Sequence, residues 1–134
     1  MDTLSRAERS ERMSRVRAKD TKPELKVRRL LHRLGYRFRL HRRELPGTPD
    51  LVFPGRRKAI FVHGCFWHRH EGCRLARLPK SREDFWLNKL EGNRLRDERD
   101  QAALRDLGWG VYVVWECQLQ SQDLTPALIS FLES

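Results

Sequence analysis

The chain has 134 residues, of which 39% are hydrophobic, and this predicts one globular domain spanning residues 1–134 rather than a disordered tail. A net charge of +10 favours a polyanionic partner, because each Lys or Arg placed on a phosphate releases condensed counterions. No apolar run approaches the ~18 residues that a membrane span needs, and the first residues lack the apolar stretch of a signal peptide. We therefore expect a cytoplasmic protein without a membrane partner.

The first third of the chain carries two helical patterns and one strand pattern. Residues 5–18 are rich in Arg, Ser and Glu with few apolar positions, which predicts a weakly packed surface helix. Residues 21–24, Thr-Lys-Pro-Glu, are typical of a capping box, and apolar residues at helical spacing extend this second helix to a stop at Gly35. Alternation over residues 36–41 then predicts a half-buried strand.

Two short apolar runs, residues 50–53 and 59–62, lie on either side of a Pro-Gly turn and predict a hairpin. A helical pattern covers residues 81–107, where we expect Gly92 to divide it into two pieces. A strand at 111–115 and a short helix near 124–132 complete the order α-β-β-β-α-β-α. This order predicts an α/β sandwich with a mixed sheet.

Cysteine and histidine cluster in an aperiodic stretch between residues 64 and 80. Three cysteines cannot all pair in disulfides, and the cytoplasm would keep them reduced. Tetrahedral zinc needs four ligands of this soft or borderline kind, and a zinc ion would fasten the loop to the end of the last strand. The five candidates are Cys65, His68, His70, Cys73 and Cys117. Spacing alone does not choose between the two histidines, and isolated core cysteines with solvated histidines are the alternative.

Asp50 lies where a loop enters a strand, directly after a proline. Nucleases of the restriction-endonuclease fold place a metal-binding Asp there and a second acid and a lysine on the next strand, in the pattern P-D…(D/E)-x-K. Here Phe61 replaces the second acid and His63 replaces the lysine. His63 and His68 have the chemistry of a general base or acid. Glu24 in a first helical turn could complete the site, or could serve only as a helix cap.

Large aromatic residues flank the basic and metal-binding stretches. Phe66, Trp67 and Trp86 lie close to Lys and Arg in the sequence, an arrangement that suits insertion between base pairs at a mismatch. The alternative is ordinary core packing, which we expect for Trp109 and Trp115.

Four stretches resemble the very-short-patch repair (Vsr) endonuclease family. These are His63–His68 with the sequence HGCFWH, residues 46–50 (PGTPD), residues 83–86 (EDFW) and residues 115–117 (WEC). The resemblance runs from Arg9 to Cys117, and the loop after His70 is one residue longer than the family pattern. It implies a restriction-endonuclease-like, PD-(D/E)xK-type α/β fold, with a three-layer core, a central mixed β-sheet and a structural zinc site.

The resemblance also implies roles for individual residues. Asp50 and the main-chain carbonyl of Val62 would bind the catalytic Mg²⁺, and His68 would be the general base. The supporting catalytic residues would be Glu24, His63 and Asp97. The zinc ligands would be Cys65, His70, Cys73 and Cys117. The residues inserted into DNA would be Phe66, Trp67 and Trp86, together with Met13 on an N-terminal DNA-contacting helix, residues 1–20, that is expected to be mobile when free.

The activity implied is Mg²⁺-dependent nicking of one DNA strand 5′ of the thymine in a T:G mismatch produced by deamination of 5-methylcytosine. This implies functional links to a cytosine-5 DNA methyltransferase, a repair polymerase and a ligase, and a monomeric enzyme acting at the bacterial nucleoid. Two alternatives remain: a zinc-stabilised DNA-binding module without catalysis, and a sequence-specific restriction-type nuclease.

Overall fold

The computed structural model describes residues 20–134, so the helix predicted at 5–18 and Met13 lie outside the described part. The strands are β1 (Arg39–Leu40), β2 (Leu51–Phe53), β3 (Lys58–His63) and β4 (Gly110–Trp115). The α-helices are α1 (Lys22–Arg33), α2 (Glu83–Asp106), α3 (Glu116–Ser121) and α4 (Thr125–Glu133). No helix within this part is long and apolar enough to cross a membrane.

The sheet has the strand order β1-β2-β3-β4. β2 pairs antiparallel with both β1 and β3, whereas β3 and β4 run parallel, with His63 opposite Trp115. Parallel neighbours need a long crossover, and α2 lies within it. The predicted hairpin and the predicted mixed sheet are therefore both confirmed.

Helices cover both faces of the sheet. On one face α1 and α4 pack against alternate residues of β2, β3 and β4, including Leu51, Ile60 and Val114. On the other face Leu104 of α2 packs against Ala59 and Phe61 of β3 and against half-buried residues of β4. The alternation of side chains along a strand produces these two apolar faces, and the result is a helix–sheet–helix arrangement in three layers.

The boundaries of α1 follow the sequence signals. The Thr21 hydroxyl accepts the main-chain N–H of Glu24 at 3.4 Å, as an N-cap does. At the other end Gly35 has a φ of +92°, and the N–H of Tyr36 reaches back to the Leu31 carbonyl at 3.0 Å. A left-handed residue after a helix favours glycine, so the predicted stop at Gly35 is confirmed.

Three predicted elements differ from the structure. The strand expected over residues 36–41 is reduced to Arg39–Leu40. Gly92 does not divide α2, which is continuous: an interior glycine costs about 1 kcal/mol, and the burial of Leu90 and Asn93 on either side holds the helix together. Helix α3, directly after β4, was not predicted.

Candidate active site

The loop before β2 delivers Asp50 to the edge of β3. Gly47 in this loop has a φ of +75°, and a Cβ there would lie 2.9 Å from Cβ of Asp100 and 3.1 Å from the ring of Phe61. Only glycine fits so close an approach. The loop ends with the Asp50 Oδ2 oxygen accepting the main-chain N–H of Val62 at 2.7 Å.

Asp50 lies in a setting that disfavours a bare negative charge. Burial raises the pKa of the Asp50 carboxyl well above its usual range, the Val62 N–H opposes this shift, and the charge of nearby Glu24 raises the pKa further. A carboxyl held like this gains from a bound cation, because a cation removes both the desolvation cost and the repulsion.

Glu24 is 1% exposed and is surrounded by donors. The His41 Nε2 atom lies 2.9 Å and 3.1 Å from its two carboxylate oxygens. The Arg28 guanidinium donates to Glu24 and to Asp20 at 2.5 Å, and the Asp20 N–H donates to Glu24 at 3.3 Å. The sequence offered two hypotheses for Glu24, a helix cap or a member of the site. The structure is compatible with both, since Glu24 accepts a main-chain N–H at the start of α1 and also lies beside Asp50.

His63 and His68 form a parallel stack, with ring centroids 3.7 Å apart and planes 4° apart. His68 Nδ1 lies 2.5 Å from Oδ2 of Asp97, a partner contributed by α2. A carboxylate accepts the Nδ1 proton and leaves Nε2 free to take another. Burial lowers the pKa of His63 well below its ordinary value, and His68 lowers it further. The pair thus consists of a neutral His63 imidazole stacked on His68, whose Nδ1 faces a carboxylate.

Cys65, His70, Cys73 and Cys117 form a second cluster, in which one ligand atom from each residue lies within 4.8 Å of all the others. The Cys117 N–H donates to Sγ of Cys65 at 3.4 Å, and Sγ of Cys117 lies 3.5 Å from Nδ1 of His70. The structure therefore separates the two histidines, placing His70 with the cysteines and His68 with Asp97. Gly72, in the longer loop, adopts a φ of +72° and lets the chain turn back to the cluster.

The donor set of this cluster fits a tetrahedral metal ion. Metal–sulfur bonds of about 2.3 Å place tetrahedral ligand atoms about 3.8 Å apart, close to the spacing seen here. Burial raises the pKa of the Cys65 thiol to about 12, so this fully buried sulfur would carry a proton unless a cation replaced it.

Aromatic rings crowd beside this loop. Phe66 packs edge-on against Trp67 and Trp86 at centroid distances of 5.1 Å and 5.6 Å, and all three rings are half-buried. Lys89 Nζ lies 5.9 Å from the Trp86 ring. Asn93 of α2, 4% exposed, donates to the Trp67 carbonyl at 3.0 Å. The three predicted aromatics thus form one cluster outside the main core, flanked by a cation.

A model of the family described as DNA mismatch endonuclease Vsr matches residues 1–74, more than half of the chain. The chain belongs to the Vsr family. It is 61% identical over 118 residues to the type II nicking enzyme V.XorIIP of Xanthomonas oryzae, covering 88% of this chain and 86% of that protein. It is 43% identical to the DNA mismatch endonuclease Vsr of Escherichia coli, covering 91% and 78%, and 39% identical to V.NmeAIP of Neisseria meningitidis, covering 90% and 86%.

Membership of the Vsr family identifies the chain as a DNA endonuclease. The predicted family is confirmed, and the alternative of a DNA-binding module without catalysis is not supported, because these relatives are named as nucleases or nicking enzymes. Nuclease chemistry of this kind uses a divalent metal ion, which agrees with the environment of Asp50.

Two polar residues of this Vsr-family chain were missed by the sequence analysis. His41 ends the predicted strand and carries a φ of +48°, a conformation uncommon for residues other than glycine. Asn93 is a polar residue at a core-facing position of α2. A polar residue among apolar positions of a helix was the signal in the sequence that could have identified it. Trp115 also differs from expectation: Trp109 joins the core, but Trp115 stacks on His70 at 4.1 Å and meets His63 edge-on at 5.1 Å.

Proposed function

We propose that this Vsr-family endonuclease nicks one strand of duplex DNA 5′ of the thymine in a T:G mismatch, in a Mg²⁺-dependent reaction on a restriction-endonuclease-like core. One observation carries the proposal: Asp50 is held against the main chain of Val62, and His63, the next residue, stacks on a His68 that Asp97 orients. The acid and the oriented imidazole therefore contact two adjacent residues of β3, Val62 and His63.

Each residue has a distinct part in the proposed mechanism. Asp50 and the Val62 carbonyl would hold Mg²⁺, which when bound polarises the scissile phosphate and lowers the pKa of the attacking water. His68 accepts the water proton at Nε2, while Asp97 stabilises the imidazolium that forms. His63 fixes the plane of His68 by stacking, and Glu24 supports the acid.

We assign the second cluster to structural zinc, held by Cys65, His70, Cys73 and Cys117. Three thiolates and one imidazole suit Zn²⁺ better than Mg²⁺, which prefers oxygen ligands. The ion would join the loop after β3 to the start of α3. Since that loop also carries His68, Phe66 and Trp67, zinc would order the base and two of the three DNA-inserting aromatic residues.

The remaining proposals concern DNA and its processing. Phe66, Trp67 and Trp86 would insert beside the mismatch from the major groove, and Met13, on the N-terminal helix at 1–20, would insert from the minor groove. We also propose one domain over residues 1–134, a cytoplasmic monomer acting at the bacterial nucleoid, and functional links to a cytosine-5 methyltransferase, a repair polymerase and a ligase.

Nicking of labelled duplexes that differ at one base pair tests the function. A T:G duplex with randomised flanks should be cut on the thymine strand in Mg²⁺ and left intact in EDTA, and the matched T:A and C:G duplexes should be cut far more slowly. Sequencing the ends locates the cut and the required flanks. Equal cutting of T:A and T:G would instead favour the restriction-type nuclease.

Trp86→Ala should reduce nicking of the T:G duplex by roughly tenfold to a hundredfold, since stacking on a base contributes ~1–3 kcal/mol. Affinity for matched duplex rests on Lys and Arg contacts with phosphate and should keep its value and its salt dependence. Nicking rates and salt-dependent binding curves on the two duplexes measure the difference.

Leu95→Ala is the matched control, because Leu95 lies on the same helix and is 57% exposed. It should leave both curves unchanged. If the aromatic cluster serves only packing, Trp86→Ala will instead lower the melting temperature and weaken activity on all duplexes together.

A further inference from the structure

We propose that His41 is a positioning residue that holds the Glu24 carboxylate toward Asp50 and thereby sets the Mg²⁺ affinity of the nuclease site. The proposal rests on the function proposed above, in which Asp50 binds the catalytic metal ion. It adds a residue that the resemblance to the family did not include.

His41 contacts both acids of the site. Its Nε2 atom lies 2.9 Å from the nearer Glu24 oxygen and 4.0 Å from Oδ1 of Asp50. Its main-chain N–H donates to the Asp50 carbonyl at 3.2 Å. One residue therefore fixes the spacing of the two carboxyl groups through its backbone and its side chain together.

The backbone of His41 adopts a left-handed conformation at this position. A φ of +48° is unfavourable for a residue with a side chain and persists only when the surroundings enforce it. Here it occurs directly after β1, at the point where the chain leaves the sheet edge beside Asp50.

The other donors to Glu24 lie toward the start of α1. Arg28 bridges Glu24 and Asp20, and the Asp20 N–H also donates to Glu24. Asp20, Glu24 and His41 have the spacing of a metal-binding group, but the Arg28 guanidinium already supplies a cation there, so we assign no separate ion to it. Without His41, and among residues 20–134, the Glu24 carboxylate would keep the Arg28 guanidinium and the Asp20 main-chain N–H as its donors.

His41 is the donor on the Asp50 side of Glu24, and this position explains its proposed effect on Mg²⁺ affinity. Glu24 lies beside the proposed ligand Asp50, and removal of a residue that orients the surroundings of a metal ligand typically affects metal affinity or activity by 10- to 100-fold. The imidazole supplies one N–H to Glu24 and keeps it beside Asp50, where two carboxylates together attract a divalent cation more strongly than one.

The test compares the Mg²⁺ dependence of T:G nicking in four variants and one control variant. His41→Ala should raise the half-saturating Mg²⁺ concentration by about tenfold or more, with the rate at saturating Mg²⁺ nearly unchanged. His41→Gln, whose carboxamide can donate to the same oxygens, should restore most of the affinity. Glu24→Gln should weaken Mg²⁺ as well, and adding His41→Ala to it should have little further effect, because both changes disrupt one interaction. His32→Ala, an exposed histidine of α1, is the control.

Mn²⁺ binding to the DNA-free protein, followed by electron paramagnetic resonance, gives a readout independent of nicking. The affinities should fall in the same order as in the nicking series. If the Mn²⁺ affinities of the wild type and the variants follow this order but the wild type does not nick T:G duplex, the proposed function fails and the role of His41 stands.

An unchanged Mg²⁺ dependence in His41→Ala would overturn the proposal, as would fully additive effects of the Glu24 and His41 substitutions. Should His41→Ala fail to fold, His41→Phe fills the volume without a donor to Glu24, and it must show the same weakened metal binding.

Discussion

Asp50→Asn should reduce nicking of T:G duplex by at least about a hundredfold, since removing even a partner of a metal ligand can cost that much. The amide has the shape of the carboxylate but lacks its charge, so it binds Mg²⁺ poorly. Binding of T:G duplex should be retained, because its free energy comes mainly from phosphate contacts and stacking. Single-turnover nicking and filter binding on the same duplex separate the two effects.

The same substitution should not destabilise the metal-free protein. The pKa of Asp50 is raised in the folded state, so its ionisation opposes folding, and stability falls as the pH rises through the raised pKa. Asn removes that cost and can still accept the Val62 N–H. Without metal, Asp50→Asn should melt at the wild-type temperature or above it, and Mg²⁺ should raise the melting temperature of the wild type only. Strong residual nicking at saturating Mg²⁺ would contradict the assignment of Asp50.

Local patterns predicted much of the fold because their causes are local. The N-cap at Thr21, the glycine stop at Gly35 and the hairpin of β2 and β3 each depend on a few neighbouring residues. The same reasoning failed at Gly92, where tertiary burial of the flanking residues outweighs a small local cost. It also missed α3, whose Glu116 is held by a hydrogen bond from the distant Cys65 N–H.

The candidate site likewise contains residues that the sequence could identify and residues that it could not. Asp50, His63 and the cysteines could be selected because their residue types and spacings imply chemistry. Spacing alone could not separate His68 from His70, and only the family resemblance implied the division, because it depends on Asp97, contributed by α2, and on Cys117, which follows β4. His41 was not selected for a similar reason, since its proposed role depends on the contact with Glu24 that forms where β1 ends.

His70→Ala and His68→Ala should affect different properties of the protein, although the two residues are only two positions apart. His70→Ala removes a predicted zinc ligand, so zinc content should fall well below one equivalent and the melting temperature should fall by more than about 10 °C. Cys73→Ser should behave in the same way. His68→Ala removes the proposed base, so it should keep its zinc and its fold while nicking falls by about a hundredfold or more.

The size of the first effect follows from what the cluster holds together. The loop after β3 contains little regular structure apart from the short turn Arg74–Ala76, and through Cys65 and His70 it meets Cys117 of α3. Without the metal, the buried Cys65 thiol, the half-buried thiols of Cys73 and Cys117 and an imidazole would remain there with few other partners, and the loop would loosen from the sheet. Metal analysis, thermal melts and nicking on the same preparations test the pair. Wild-type protein that folds cooperatively with less than half an equivalent of zinc, or a His70→Ala protein as stable as His68→Ala, would contradict a structural role for the cluster.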